Sequence, residues 1–134
     1  MKIAISSTGK DLESQVGMVF GRCKYFIIVD VEGKEIKNYE ALENTASTQF
    51  GGAGIAAAEL VGNQGVKIVI TGALGPRAFG IFNQIGIKAY KGTGTIKKAV
   101  EDYLEGKLQE ITAPGPMQTP PGMGRGAGMG RRQI

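Results

Sequence analysis

The chain's only cysteine, Cys23, follows Arg22 at the end of Gly17-Met-Val-Phe-Gly-Arg-Cys23, just ahead of the apolar run Tyr25 to Val31, and the chain has no histidine. A thiol that attacks a carbonyl needs a base to take its proton, so acyl transfer by a Cys-His pair is excluded. A thiolate is also a soft metal ligand, and a guanidinium beside it can lower its pKa and draw in an anion. With one thiol and no imidazole, a closed structural zinc site within one chain is nearly excluded. A soft-metal site would have to be open, shared between subunits, or completed by the ligand's own atoms. The plainer alternative is a small, half-buried cysteine packed at the start of a strand.

Other residues could bind rather than react. Gly72-Ala-Leu-Gly75, between a strand and a helix, could turn backbone N–H groups toward an anion; it matches neither nucleotide-binding glycine pattern and could equally be a tight turn. Gly51-Gly52, ahead of another helix, allows the same two readings. Met117, Met123 and Met129 could offer thioethers to an ion such as Cu(I), or simply mark a flexible tail. A two-metal nuclease would need clustered carboxylates, one of them on the first strand. Lys2-Ile-Ala-Ile-Ser6 has none, and Glu101, Asp102 and Glu105 lie on the solvated face of the last helix.

These residues must be held by a framework that the sequence outlines. Lys2 to Ser6 reads as a central strand, apolar on both faces, and residues 7 to 21 as a loop across the sheet end. Tyr25 to Val31 and Glu35 to Tyr39 form a hairpin through Gly33, the second strand being a polar edge. An alanine-rich helix follows from Gly52 to a stop at Gly62. Then come a strand at Val66 to Ile70, a helix between Pro76 and Gly86, a short strand at Ile87 to Tyr90, and a helix capped by Thr95 and stopped at Gly106. The order β-β-β-α-β-α-β-α, with a hairpin beside a parallel half, predicts an α/β domain with helices on both faces of a mixed five-stranded sheet, in the ribonuclease-H-like arrangement.

With 134 residues, 42% of them hydrophobic, the chain suits one domain. That domain is expected over residues 1–111, with a Gly/Pro/Met/Arg-rich disordered tail over 112–134. The formal charge of +4 belongs to the tail: up to residue 111 there are thirteen basic and twelve acidic side chains. The body therefore lacks the footprint of a nucleic-acid binder. No run approaches the roughly 18 apolar residues of a membrane span, and the first residues do not form a signal-peptide core. A cytoplasmic protein, monomeric or weakly homo-oligomeric, is expected, without nucleic-acid or membrane partners.

Six segments in register, Met1-Lys-Ile-Ala-Ile, Val19-Phe-Gly-Arg-Cys-Lys-Tyr-Phe26, Gly51-Gly-Ala-Gly-Ile, Val69-Ile-Thr-Gly-Ala-Leu-Gly-Pro-Arg-Ala78, Gly86-Ile87, and Gly94-Thr-Ile-Lys-Lys-Ala-Val with Tyr103 to Leu108, resemble the dinitrogenase iron-molybdenum cofactor biosynthesis family. The resemblance runs from residue 1 to about 108. It implies a non-enzymatic domain that binds or carries an iron-molybdenum-type cofactor or an iron–sulfur cluster precursor, with metallocluster assembly proteins as partners. Where the family often reads His-Phe-Gly-Arg-Ala, this chain has Val19 and Cys23 in place of the histidine and alanine. A second family histidine is missing near Gln49 and Phe50. The expected cofactor-binding residues are Phe20, Gly21, Arg22, Cys23, Gly51, Gly52, Gly72 and Gly75, with Cys23 as the metal ligand and Arg22 as counter-charge. The competing readings are an interaction module working through its tail, and a phosphate- or nucleotide-binding regulator using Gly72 to Gly75.

Overall fold

Ile3 and Ile5 point to one side of the first strand and Ala4 to the other, and all three are fully buried in the computed structural model, as expected of a strand covered on both faces. The structure describes residues 1–46 and 52–112. The elements are β1 (Lys2–Ser7), a single 3-10 turn (Phe20–Arg22), β2 (Tyr25–Glu32), β3 (Glu35–Glu43), α1 (Ala53–Gly62), β4 (Ile68–Thr71), α2 (Pro76–Ile85), β5 (Lys88–Lys91), α3 (Ile96–Leu104) and β6 (Gln109–Glu110). The sheet order is β3-β2-β1-β4-β5-β6. β1, β4 and β5 run parallel, β2 and β3 form the antiparallel hairpin, and β6 returns antiparallel to β5.

Strand alternation divides the core in two. Ala4, Phe26, Ile28 and Val69 pack against Ala57, Ala58 and Val61 of α1 and Ala78 and Phe82 of α2. On the other face Ile3, Ile5, Ile27, Val29, Ile68 and Ile70 meet Ile96, Ala99 and Val100 of α3. The expected caps are present: Pro76 opens α2, Gly86 closes it at φ 79°, and Thr95 accepts the Lys98 N–H at 3.2 Å.

Three expectations need correction. The described residues contain six strands, not five. β6 has only two residues, both exposed, and such a segment carries no alternation to read; it is set by pairing Tyr90 with Glu110 and Lys91 with Gln109. β3 continues past Tyr39 to Glu43 because its ladder with β2 runs on to Tyr25, overriding the helical preference of Glu40-Ala-Leu-Glu43. α1 includes Gly62, and the left-handed residue beyond it is Gly65, at φ 76°. Beyond Thr112 the expected tail lies outside the described residues, as do Gln49 and Phe50. Among the described residues, no helix is long and apolar enough to cross a membrane.

Candidate functional site

The carboxyl ends of parallel strands, where chains leave the sheet for helices, are the usual place for ligands in α/β folds. Here β1 ends in two fully buried serines and β4 in fully buried Thr71. Ser6 Oγ donates to the Gly17 carbonyl at 2.9 Å and shares a hydrogen bond with Thr71 Oγ1 at 2.8 Å. The loop that follows is then fixed by its backbone. Gly17 N–H donates to Ser6 O (2.7 Å), Gly72 N–H to Gly17 O (3.1 Å) and Phe20 N–H to Ala73 O (3.0 Å). These bonds bring the Phe20–Arg22 turn over the end of β4.

The 3-10 turn also presses on the start of α1. A Cβ on Gly21 would lie 3.0 Å from both the Cα and N of Gly54, so only glycine fits without a shift. Phe20, 1% exposed, anchors the turn below, its ring 4.9 Å from Phe26 and edge-on to Phe82 at 5.2 Å. Between the turn and the two helix starts lies a hollow of about 420 Å³, in the size range of small-ligand sites. Its lining runs through Val19 to Arg22, Gly52 to Gly54 and Ala73 to Ala78.

The electrostatics of this hollow are one-sided. The first turns of α1 and α2 both line it, and each helix carries roughly half a positive charge at that end. Their N-cap residues, Gly52 and Gly75, provide no capping side chain, and neither first turn contains an acidic residue. Arg22 and Arg77, both exposed, add two full charges to the wall, which includes no carboxylate among the described residues. Arg77 is the second residue of α2, a position where a cation opposes the helix dipole and costs stability.

The sequence-derived residues divide. Phe20, Gly21, Arg22, Gly52 and Gly75 all line the hollow. Gly51 lies outside the described residues. Gly72 is not part of the lining; a Cβ there would come 2.7 Å from Met18 O, so the tight approach of the two loops explains this glycine. Cys23 lines a second hollow of about 460 Å³ with Ser7, Thr8, Gly17, Met18, Val19, Arg22 and Lys24. The thiol is 8% exposed and donates to Phe20 O at 3.3 Å. Burial raises its pKa to about 11, against the opposing hydrogen bonds at Ser7 and Asn44. The lowering expected from Arg22 is thus corrected: removal from water outweighs the hydrogen bonds that favour the thiolate.

Sequence reasoning passed over Arg77 and Asn44. Arg77 had a signal, a cation placed in the first turn of a helix that opens Gly-Pro. Asn44 had none, since its partners at Gly21 and Cys23 are distant in sequence and are joined to it only by the fold. Among the described residues, no group of three His, Cys, Asp or Glu side chains is placed to hold a metal ion.

A doubly covered mixed sheet with a positively charged hollow at the carboxyl ends of its parallel strands defines a small α/β domain. By its match to that family's model over residues 1–106, the chain belongs to the dinitrogenase iron-molybdenum cofactor family. An uncharacterized protein of Methanocaldococcus jannaschii is 41% identical over 112 residues, which cover 83% of this chain and 92% of that one. The apo form of the orange protein from Desulfovibrio gigas superposes with a TM-score of 0.80 at 30% identity, covering 86% of this chain and 96% of that one. A proposed NifB protein of Thermotoga gives 0.73 at 34% identity, over 86% of this chain and 97% of its own.

Proposed function

We propose that the hollow binds a compact, anionic metallocluster, of the iron-molybdenum type or an iron–sulfur precursor of it, and carries it without transforming it. The observation that carries this reading is the pairing of two uncapped, acid-free helix starts with Arg22 and Arg77. Two acid-free helix starts with a cation, Arg77, in the first turn of one are unfavourable by themselves and favourable around an anion. Among the described residues the lining has no Cys, His, Asp or Glu, which does not suit a bare metal ion. It suits a cluster that arrives with its outer metal sites already filled by ligands of its own, held as cargo by backbone N–H groups and guanidinium charge. Phe20 and Leu74, each 1% exposed, provide an apolar floor that keeps water away and strengthens those contacts.

Cys23 is the alternative point of attachment. Its proton is held up to a pKa of about 11 and its sulfur lies along the neighbouring hollow, which supports a bracing role beneath the turn. The same reading takes the protein to be non-enzymatic and cytoplasmic, with metallocluster assembly proteins as its donors and acceptors. It keeps the ribonuclease-H-like description for the β3-β2-β1-β4-β5 part of the sheet. Support comes also from the family description and from the orange protein relative, whose apo form presupposes a bound one. The test is anaerobic incubation with isolated iron-molybdenum cofactor, or with iron and sulfide, followed by gel filtration and absorption spectroscopy. A cluster chromophore that elutes with the protein is expected, and is lost in Arg22→Gln/Arg77→Gln; a chromophore that never co-elutes refutes the proposal.

A further inference from the structure

The geometry points to Asn44 as the residue that positions the Phe20–Arg22 turn against the first turn of α1, and so sets the shape of the hollow; this rests on the function proposed above. Asn44 follows the last residue of β3 and is 2% exposed. Its backbone N–H donates to Lys24 O at 2.9 Å, which extends the β2–β3 ladder by one rung. From that fixed point the side chain works in two directions. Nδ2 donates to the carbonyls of Gly21 (3.3 Å) and Cys23 (2.9 Å), satisfying acceptors at the end of the 3-10 turn that its own short helix cannot. Oδ1 accepts the Ala46 N–H at 3.1 Å, which turns the chain as it leaves β3.

One amide thus ties the turn to the end of β3, and the turn held there sets Gly21 against Gly54, where a Cβ would lie 3.0 Å from the backbone. An asparagine uses all the donors and acceptors this requires: two N–H groups and one oxygen. No other single side chain joins the turn and the exit from β3 among the described hydrogen bonds. Asn44 touches neither the hollow nor a ligand, so it is a positioning residue and not a binding one.

The test compares Asn44→Ala with Val100→Ala, a truncation in the α3-side core, at temperatures equally far below each variant's own Tm. Amide hydrogen exchange is followed at Arg22, bonded to Val19 O, and at Ala56, bonded to Gly52 O, with Ile5 as the sheet reference. Asn44→Ala is expected to exchange at least tenfold faster at both sites relative to Ile5, and to bind isolated iron-molybdenum cofactor at least tenfold more weakly. Val100→Ala is expected to change neither. Asn44→Asp at pH 8 keeps the acceptor for Ala46 N–H but loses both donors, and should match Asn44→Ala at both sites. If Asn44→Ala matches Val100→Ala in exchange and affinity, Asn44 merely stabilises the fold and the inference is overturned. If the wild type binds no cofactor, the function proposed above falls, while the exchange comparison still decides whether Asn44 couples the two parts.

Discussion

Replacing Arg77 with glutamine should make the ligand-free protein more stable while weakening its hold on an anion. As the second residue of α2, Arg77 sets a positive charge against the positive end of the helix, whose first turn has no acid to offset it. A cation there costs about 0.3–1 kcal/mol, and relieving it in a domain of this size should raise Tm by about 2–6 °C. Binding should move the other way. A unit charge about 6 Å from a singly charged ligand, at an effective dielectric constant of about 40, contributes about 1.4 kcal/mol, which is about tenfold in affinity; a more highly charged cluster loses more. Scanning calorimetry on the apo protein, with an anaerobic titration of isolated cofactor at about 50 mM salt, reads both quantities. Lower stability in Arg77→Gln, or unchanged affinity, would refute the idea that α2 opens on a cation in order to hold an anion.

Cys23→Ser should leave the cluster spectrum unchanged, since the thiol braces the turn from the neighbouring hollow; a lost or shifted spectrum would make Cys23 a ligand. The buried thiol also fixes a pH dependence. Its folded pKa of about 11 lies above the ordinary 9.0, so the folded state keeps the proton longer than the unfolded state. The stabilisation is complete well below pH 9 and falls by about 2 kcal/mol as pH rises to 11. Urea midpoints at pH 8 and pH 10.5 should fall more steeply for wild type than for Cys23→Ser. The two glycines before α2 should behave differently on replacement by alanine. Gly72→Ala drives a Cβ to 2.7 Å from Met18 O and should cost about 1–3 kcal/mol, whereas Gly75→Ala meets nothing within 4 Å and should melt near wild type.

Much of this framework is legible in residue patterns because its elements follow local rules. Pro76 and Gly86 bracket α2, Thr95 caps α3, and the apolar triplet of β1 announces a buried strand. What escaped the sequence is set by contacts between distant segments. β6 exists only because Gln109–Glu110 meets β5, and the last residues of β3 are extended only because β2 pairs with them. The loop from Gly17 to Cys23 stands out in the sequence by its residue types, and the fold parts its side chains between two hollows. Phe20, Gly21 and Arg22 line the charged hollow, while Cys23, next in sequence, lines the neighbouring one, where burial keeps its proton on. Gly72 resembled an anion-binding glycine, but the nearby Met18 backbone accounts for it. Asn44 is an unremarkable polar residue after a strand until the fold brings two carbonyls to its amide.

The most direct test of the central claim is to locate the bound cluster. Titrating isotope-labelled protein anaerobically with isolated iron-molybdenum cofactor should broaden first the amide resonances of Gly21, Arg22, Ala53, Gly54, Arg77 and Ala78, because the cluster's unpaired electrons relax the nearest nuclei most strongly. Broadening centred on Thr8, Met18, Cys23 and Lys24, with Ala53 and Arg77 unaffected, would put the ligand in the hollow beside the thiol and contradict the account.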